Sequence, residues 1–193
     1  YADALSAGPL AAHYGNAPIL LSRAGALPAE VEQELKRLKA KHVIMVGGTA
    51  ALSTSDERKL KSMGMSTERL SGSTRYETNE KINAKLPSAD GVFVTAGDNY
   101  PDALTAASVA VVKNWPIVLV REGLAVPNSL KTAFGDEVVI IGGTSAVPAS
   151  LETAVKREIG ADGVRRLSGK TRYETGTAAI DFLADDFMSY RLI

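Results

Sequence analysis

Short apolar runs alternate with stretches of helical periodicity along the second half of the chain. The runs predict strands at residues 92–96, 117–120, 138–141 and 164–167, and the amphipathic stretches predict helices at residues 102–112, 128–134, 149–159 and 172–185. The strands are nearly continuous apolar runs, which is typical of sheets buried on both faces. The pattern therefore predicts an α/β fold with mainly parallel sheets covered by helices.

The same motifs occur twice in the same order, displaced by about 95 to 99 residues. The matching segments are residues 1–5 with 100–104, 17–21 with 115–119, 46–50 with 141–145, and 69–78 with 166–175. Tyr1 corresponds to Tyr100, which follows the strand at 92–96, so the first copy lacks an opening strand. We therefore predict a first repeat at residues 1–86 without that strand, a second repeat at 87–186, and a tail at 187–193 that would begin a further unit. The chain ends are expected to cut across units.

Composition excludes several classes of function. The chain has 193 residues, of which 45% are hydrophobic and 23% charged, with 22 Lys+Arg, 22 Asp+Glu and no cysteine. A formal charge of zero gives no overall attraction to nucleic acid or to an anionic membrane, so an anion site must be local. Disulfides, thiol nucleophiles and thiolate metal sites are excluded. No apolar run reaches the ~18 residues of a membrane span.

The sequence Thr-Arg-Tyr-Glu occurs at residues 74–77 and again at 171–174. It predicts a capping box, in which Thr accepts from the third helical residue and Glu reaches back to the cap. Capping does not explain Arg75 and Arg172, which would oppose the helix dipole in the first turn. Each needs either a carboxylate such as Asp3, Asp98 or Asp102, or an anionic ligand at the helix start.

Two further arginines, Arg69 and Arg166, end the short strands that precede those helix starts. An arginine pair beside a helix N-terminus can hold phosphate or carboxylate groups. Structural ion pairs are equally common for such residues, so both interpretations stay open.

Glycine turns follow two of the apolar runs. Gly47-Gly48-Thr49 and Gly142-Gly143-Thr144 lie where open α/β sheets bind ligands, although a tight βα turn explains them as well. Asp3 and Asp102 are expected in first helical turns along related edges, where carboxylates are favourable.

Little in the sequence supports catalysis. His13 and His42 do not recur in the second copy, which has Val112 and Glu137 at the corresponding places. Nucleotide-binding, hydrolase and metalloprotease motifs are absent. We therefore predict a non-enzymatic chain without a cofactor or metal.

The repeated motifs resemble the cell wall binding repeat 2 family of Gram-positive bacteria. The resemblance rests on Asp-Ala-Leu-Ser/Thr-Ala, on Ala-Pro-Ile-Leu-Leu, on Val-Gly-Gly-Thr and on Arg-Leu-Ser-Gly-x-Thr-Arg-Tyr-Glu-Thr, and it covers almost the whole chain. It implies a Toprim-like α/β fold in tandem modules, usually three around a pseudo-threefold axis, on secreted surface-layer proteins and amidase autolysins. The two copies here are too few to form that assembly alone.

The resemblance further implies non-covalent anchoring to an anionic, teichoic-acid-like polysaccharide of the cell wall. The predicted ligand-binding residues are Arg69, Arg75, Tyr76, Arg166, Arg172, Tyr173, Asp3, Asp102, Gly48, Thr49, Gly143 and Thr144. Packing between modules or between copies of the chain is expected, without nucleic acid or membrane insertion. Two alternatives stay open: an α/β enzyme that binds a phosphosugar or nucleotide, and a purely structural module of surface-layer assembly.

Overall fold

The structure, a computed structural model, describes residues 3–98, 100–123, 125–132, 134–160 and 162–184. The side chains of residues 3–4 and 131–136 lie outside this description, as does the predicted tail at 187–193. After a 3₁₀ helix at Asp3–Ser6, the first repeat contains α1 (Ala7–His13), α2 (Ala29–Arg37), β1 (His42–Val46), α3 (Thr54–Ser62), β2 (Ser66–Leu70) and α4 (Arg75–Asn83). The second contains β3 (Ala89–Ala96), α5 (Tyr100–Lys113), β4 (Ile117–Val120), α6 (Asn128–Thr132), β5 (Phe134–Ile141), α7 (Ala149–Ile159), β6 (Val164–Leu167) and α8 (Arg172–Phe182).

The second repeat is built on a parallel four-stranded sheet with the order β4-β3-β5-β6. Alternate residues of each strand face opposite sides, and both sides are apolar. Val94 and Ile140 pack on one face with Leu151 and Val155 of α7, while Phe93 packs on the other with helices α5 and α8. Burial on both faces explains why these strands read as continuous apolar runs.

The first repeat contains a two-stranded parallel sheet, β1-β2. Its one face packs on α2 and α3 through Leu35, Met45 and Leu60, and its other face lies against α1 and α4 through Leu10 and Ile82. Residues 17–22, which match β4 of the second repeat, do not form a strand. The first repeat therefore has the layers of the second with a smaller sheet.

Helix α4 belongs to the first repeat but packs against the second. The buried Asn79 donates to the carbonyl of Ile117 over 2.7 Å and accepts from the amide of Leu119 over 2.9 Å, so its amide bonds to the free edge of β4 as a strand would. Asn79 also donates to Ser6 Oγ over 2.9 Å. On the same helix Glu80 accepts from the amide of Ser129 at the start of α6. The repeats therefore share one continuous interface.

The α/β class and the parallel sheets are confirmed, and most element bounds agree with the sequence pattern. Strands 117–120 and 164–167 and helix 149–159 have the predicted bounds. The helix predicted at 128–134 was wrong at its end, because Phe134 already pairs with Ala89 in the sheet. The helix predicted at 172–185 ends at Phe182, and Asp185 lies outside the described residues.

Candidate ligand-binding site

The carboxyl ends of the four parallel strands meet at one side of the second repeat, here called the carboxyl edge. Arg121 follows β4, Gly97 follows β3, Gly142 follows β5 and Ser168 follows β6. Open α/β sheets bind ligands at such an edge, because the loops and helix N-termini converge there. A cleft of about 340 Å³ opens at this edge between Asp98, Glu122, Ser145, Ala146 and Pro148.

The two Thr-Arg-Tyr-Glu segments begin α4 and α8 in the same way. Thr74 accepts from the amide of Glu77 over 3.2 Å, and Thr171 accepts from that of Glu174 over 3.2 Å, so the predicted threonine caps are confirmed. The glutamates do not accept from the amide of the cap threonine, as the predicted capping box requires. Glu77 accepts from Ser73 N and Glu174 from Lys170 N, each over 2.8 Å and one residue before the cap.

A glycine precedes each of these helix starts because no side chain fits there. A Cβ on Gly72 would lie 2.2 Å from the Cβ of Glu77, and a Cβ on Gly169 would lie 2.1 Å from that of Glu174. The capping glutamate and its glycine therefore fix the direction in which each helix begins.

The first of these helix starts lies on the carboxyl edge of the other repeat. Arg75 donates to the carbonyl of Gly97 over 2.6 Å, and the ring of Tyr76 occupies the space that a side chain on Gly97 would need. Burial, followed by the charge of Asp98, raises the pKa of Tyr76, while Arg75 and Arg121 oppose this. Arg75 and Tyr76 thus contact the second repeat at the end of β3.

The second helix start exposes its side chains. Tyr173 is 81% exposed, and Arg172 is exposed with no hydrogen bond or ion pair to any residue that the structure describes. Burial raises the pKa of Asp102, and the positive charge of the nearby Arg172 partly opposes this rise. Arg172 and Tyr173 are therefore accessible beside a buried carboxylate.

The Gly-Gly-Thr turns are held by the other arginine pair. Arg166 donates to the carbonyl of Gly142 over 2.6 Å and forms an ion pair with Glu152 at 2.7 Å, while Arg69 donates to Gly47 over 3.0 Å and pairs with Glu57 at 3.1 Å. Their side chains are only 14% and 16% exposed. Both arginines therefore form internal ion pairs, which is one of the two interpretations that the sequence left open.

The first glycine of each turn has a backbone conformation that favours glycine, with φ of +127° at Gly47 and +124° at Gly142. A Cβ on Gly142 would also lie 2.9 Å from Oδ2 of Asp102. The predicted Gly143 and Thr144 follow on the carboxyl edge, with Thr144 exposed.

The corresponding residues of the first repeat lie at the end of β1. Gly48 is half-buried and Thr49 is exposed. Asp3 begins the 3₁₀ helix, and its side chain is outside the described part of the chain. The predicted residues therefore lie at two separate sheet edges, one in each repeat. Arg75 and Tyr76 are the exception, because they belong to the first repeat but lie at the carboxyl edge of the second.

The sequence analysis missed one pair of repeated arginines. Arg121 follows the apolar run Ile117–Val120, and Arg23 holds the same place after residues 19–22. Both arginines are exposed, and no ion pair involves either of them within the described residues. Their recurrence at the offset of the preceding apolar runs was the signal that could have identified them.

The two histidines do not lie at the carboxyl edge of the second repeat. His13 ends α1, and His42 begins β1 in the first repeat and bonds to Ser66 Oγ at 2.8 Å. Within the described ranges, no three His, Asp or Glu side chains converge to hold a metal, and no helix is long and apolar enough to cross a bilayer. What recurs at the edges is turns, helix starts and arginines.

The chain belongs to the family described as cell wall binding domain 2 (CWB2), whose model matches residues 1–57 and 69–152. It is 31% identical over 177 residues to the N-acetylmuramoyl-L-alanine amidase LytC of Bacillus subtilis, and 32% identical over 174 residues to the amidase enhancer of that organism. These matches cover 90% of this chain but 34% and 23% of the two relatives.

Two solved structures from Clostridium difficile are also similar. Cwp8 has a TM-score of 0.83 at 32% identity, and Cwp6 has 0.84 at 28% identity. The similarity covers 93% and 95% of this chain and 31% and 30% of theirs. The chain is therefore a cell-wall-binding module, non-catalytic in itself, of a secreted, cell-wall-associated type.

Proposed function

We propose that the module anchors its protein by binding an anionic polysaccharide of the cell wall, of the teichoic-acid type, at the carboxyl edge of the second repeat. The observation that carries this proposal is the pair of arginines, Arg121 and Arg172, that stand exposed at this edge without an ion pair among the described residues. The edge lies where parallel sheets offer amides and helix N-termini to anions.

The arginines fall into two groups according to their internal contacts. Arg69 and Arg166 are engaged with carboxylates and turn carbonyls, so they support the proposal only by fixing the Gly-Gly-Thr turns. Arg172, with Arg121, has its guanidinium donors available for phosphate or carboxylate oxygens. Tyr173, 81% exposed, offers a flat face for a sugar ring beside them.

Weak binding at a single edge is sufficient for a protein that binds a repeating polymer at several sites. Each edge would contact a few charged groups, and additional copies would raise the total affinity through effective concentration. The exposed Arg23 gives the first repeat one cation of the same kind, which supports a second, weaker contact.

Sedimentation of the full chain with purified cell walls over a series of salt concentrations tests the proposal. The double variant Arg121→Ala/Arg172→Ala should weaken binding by at least about tenfold at low salt, because two charge-assisted contacts are lost. The matched control is Arg58→Ala/Arg157→Ala, which removes two exposed arginines on α3 and α7 and should bind like the parent chain.

Equal loss in both double variants would mean that net charge alone matters, and unchanged binding in both would refute the arginine assignment. Walls stripped of their anionic polymer identify the ligand. Binding that persists on stripped walls would overturn the polymer assignment in favour of peptidoglycan. Absence of binding to any wall preparation would instead favour the structural assembly module.

A further inference from the structure

The two exposed arginines of the carboxyl edge lie at its opposite ends. Arg121 directly follows β4, and Arg172 begins α8, which comes after β6. Because the strand order is β4-β3-β5-β6, the strands that precede the two arginines are three strand spacings apart, about 14 Å. A ligand that contacts both arginines must therefore cross the ends of β3 and β5.

Carboxylates occupy the edge between these arginines. Asp98 lies just beyond the end of β3 and Glu122 follows Arg121, and both line the cleft of about 340 Å³ together with Ser145. Asp98 and Glu122 are exposed, and neither forms an ion pair or a side-chain hydrogen bond with a residue that the structure describes. The charge along the edge therefore changes from positive to negative and back to positive.

A third carboxylate lies deeper at the same place. Asp102, in the first turn of α5, is only 8% exposed, and no residue in the described part of the chain forms a hydrogen bond or an ion pair with it. A Cβ on Gly142 would lie 2.9 Å from Oδ2 of Asp102 and 3.4 Å from the Cβ of Ala146, which lines the cleft. Because buried carboxylates are seldom left without a partner, the cleft has an unused acceptor directed at its Gly142–Ala146 wall.

A purely anionic chain would be repelled on this path. Its charged groups would pair with the two arginines, but the groups between them would face three carboxylates. A ligand with charges of both signs removes this conflict, because each anion then meets a guanidinium and each cation a carboxylate. A metal ion fits the cleft less well than an organic cation, since no three acidic or histidine side chains of the described residues converge to coordinate one.

We propose that the cleft between Arg121 and Arg172 binds a primary ammonium group of the wall polymer, whose anionic groups the two arginines bind. This inference rests on the proposed function, and it narrows the ligand from an anionic to a zwitterionic polymer. An ammonium donates three hydrogen bonds, which Asp98, Glu122 and the serine hydroxyl of the cleft accept. Its charge also gives the buried Asp102 the partner that the chain does not supply.

Removal of the two exposed carboxylates has opposite effects for the two kinds of ligand. Asp98→Asn/Glu122→Gln removes two negative charges, so a purely anionic polymer should bind this variant more tightly than the parent chain. A zwitterionic polymer should bind it at least about threefold more weakly at low salt, because the ammonium loses both charged acceptors. The affinity of the full chain for anionic polymer purified from cell walls, with EDTA present, provides the measurement.

The matched control is Asp90→Asn/Glu30→Gln, which removes two exposed acids at the start of β3 and on α2 and should not weaken binding. Acetylation of the amino groups of the polymer should weaken binding of the parent chain by the same factor as the carboxylate variant, and should not weaken binding of that variant further. A small probe gives a second readout. The pKa of Asp102, followed by carboxyl ¹³C NMR, should fall with O-phosphoethanolamine and not with ethyl phosphate, because a nearby cation favours the carboxylate and an anion disfavours it.

Tighter or unchanged binding by Asp98→Asn/Glu122→Gln, no effect of acetylation, or an equal response of Asp102 to both probes overturns the ammonium site. Binding of the parent chain that EDTA abolishes overturns it in favour of a bridging divalent cation. In each of these cases, weaker binding by Arg121→Ala/Arg172→Ala would leave the proposed function in place. If the parent chain binds no wall polymer under any condition, the proposed function and the ammonium site both fail.

Discussion

At the scale of single residues, the four motif arginines have different environments although they recur in equivalent places. Arg69 and Arg166 are largely buried with carboxylates and turn carbonyls, whereas Arg172 is exposed and Arg75 bonds to a carbonyl of the other repeat. The first arginine of each motif is therefore buried beside a glycine turn. The second arginine contacts the other repeat in one copy and is exposed in the other. Stability and wall binding should therefore depend on different members of the set.

Arg166→Ala should lower the free energy of unfolding by about 1–3 kcal/mol, because Glu152 and the carbonyls of Gly142 and Val147 lose a shared donor. Arg172→Ala should change it by less than about 0.5 kcal/mol. Urea denaturation of both variants measures the difference. Equal effects would contradict the assignment of Arg166 to the turn.

Stability in acid should depend on Glu57. Hydrogen bonds from Lys61 and from Arg69 lower the pKa of Glu57 to about 2. A carboxyl whose pKa is lower in the folded state stabilises the fold above its unfolded pKa of ~4.3, and this contribution is lost as the pH falls towards 2.

Glu57→Gln should therefore flatten the dependence of stability on pH between about 4.5 and 2. Glu30→Gln, at an exposed acid of α2, is the matched control and should retain the parent slope. Thermal melts across this range provide the measurement, and identical slopes in the parent and Glu57→Gln would refute the prediction.

At the scale of elements, helix α4 substitutes for a strand at the edge of the second sheet. The amide of Asn79 bonds to Ile117 and Leu119 on β4, and Asn83 donates to Ile117 over 3.0 Å. The equivalent positions of α8 hold Gly176 and Ile180, and Ile180 is 41% exposed. The edge-covering function therefore belongs to α4 and is not shared by both copies of the motif.

Asn79→Ala should reduce the free energy of unfolding by about 2–4 kcal/mol, because the buried amide of Leu119 and the carbonyl of Ile117 lose bonds at once. Thr177→Ala, on the exposed face of α8, serves as the control and should cost less than about 0.5 kcal/mol. Chemical denaturation measures both, and a small effect of Asn79→Ala would show that water replaces its bonds.

At the scale of the whole molecule, the two repeats are coupled by shared elements. The bonds of Asn79 to Ile117 and Leu119 and the contact of Glu80 with Ser129 tie α4 of the first repeat to the second. The two-stranded sheet of the first repeat buries fewer side chains than the four-stranded one, so it depends on this interface.

Unfolding should therefore be a single transition. Trp115 reports on the second repeat by fluorescence, and the methyl signals of Met45 and Met65 report on the first by NMR. Their denaturation midpoints should coincide. Two separate midpoints would show that the repeats fold independently and that α4 contributes little to their coupling.

Much of this protein was determined by the sequence itself. Apolar runs between helical stretches predicted the parallel sheet, because strands buried on both faces cannot alternate in polarity. The duplication predicted which motifs would recur, and the threonine caps followed from local backbone chemistry that needs no tertiary partner.

Only the tertiary structure decided what each repeated residue contacts. Arg69 and Arg166 turned inward because Glu57 and Glu152 lie beside them across a strand and a helix, at separations that no local pattern encodes. Arg75 reaches Gly97 because α4 packs on the following repeat, whereas Arg172 stays exposed on α8. Equal motifs acquire unequal roles because burial and pairing depend on neighbours that the chain brings together only when it folds.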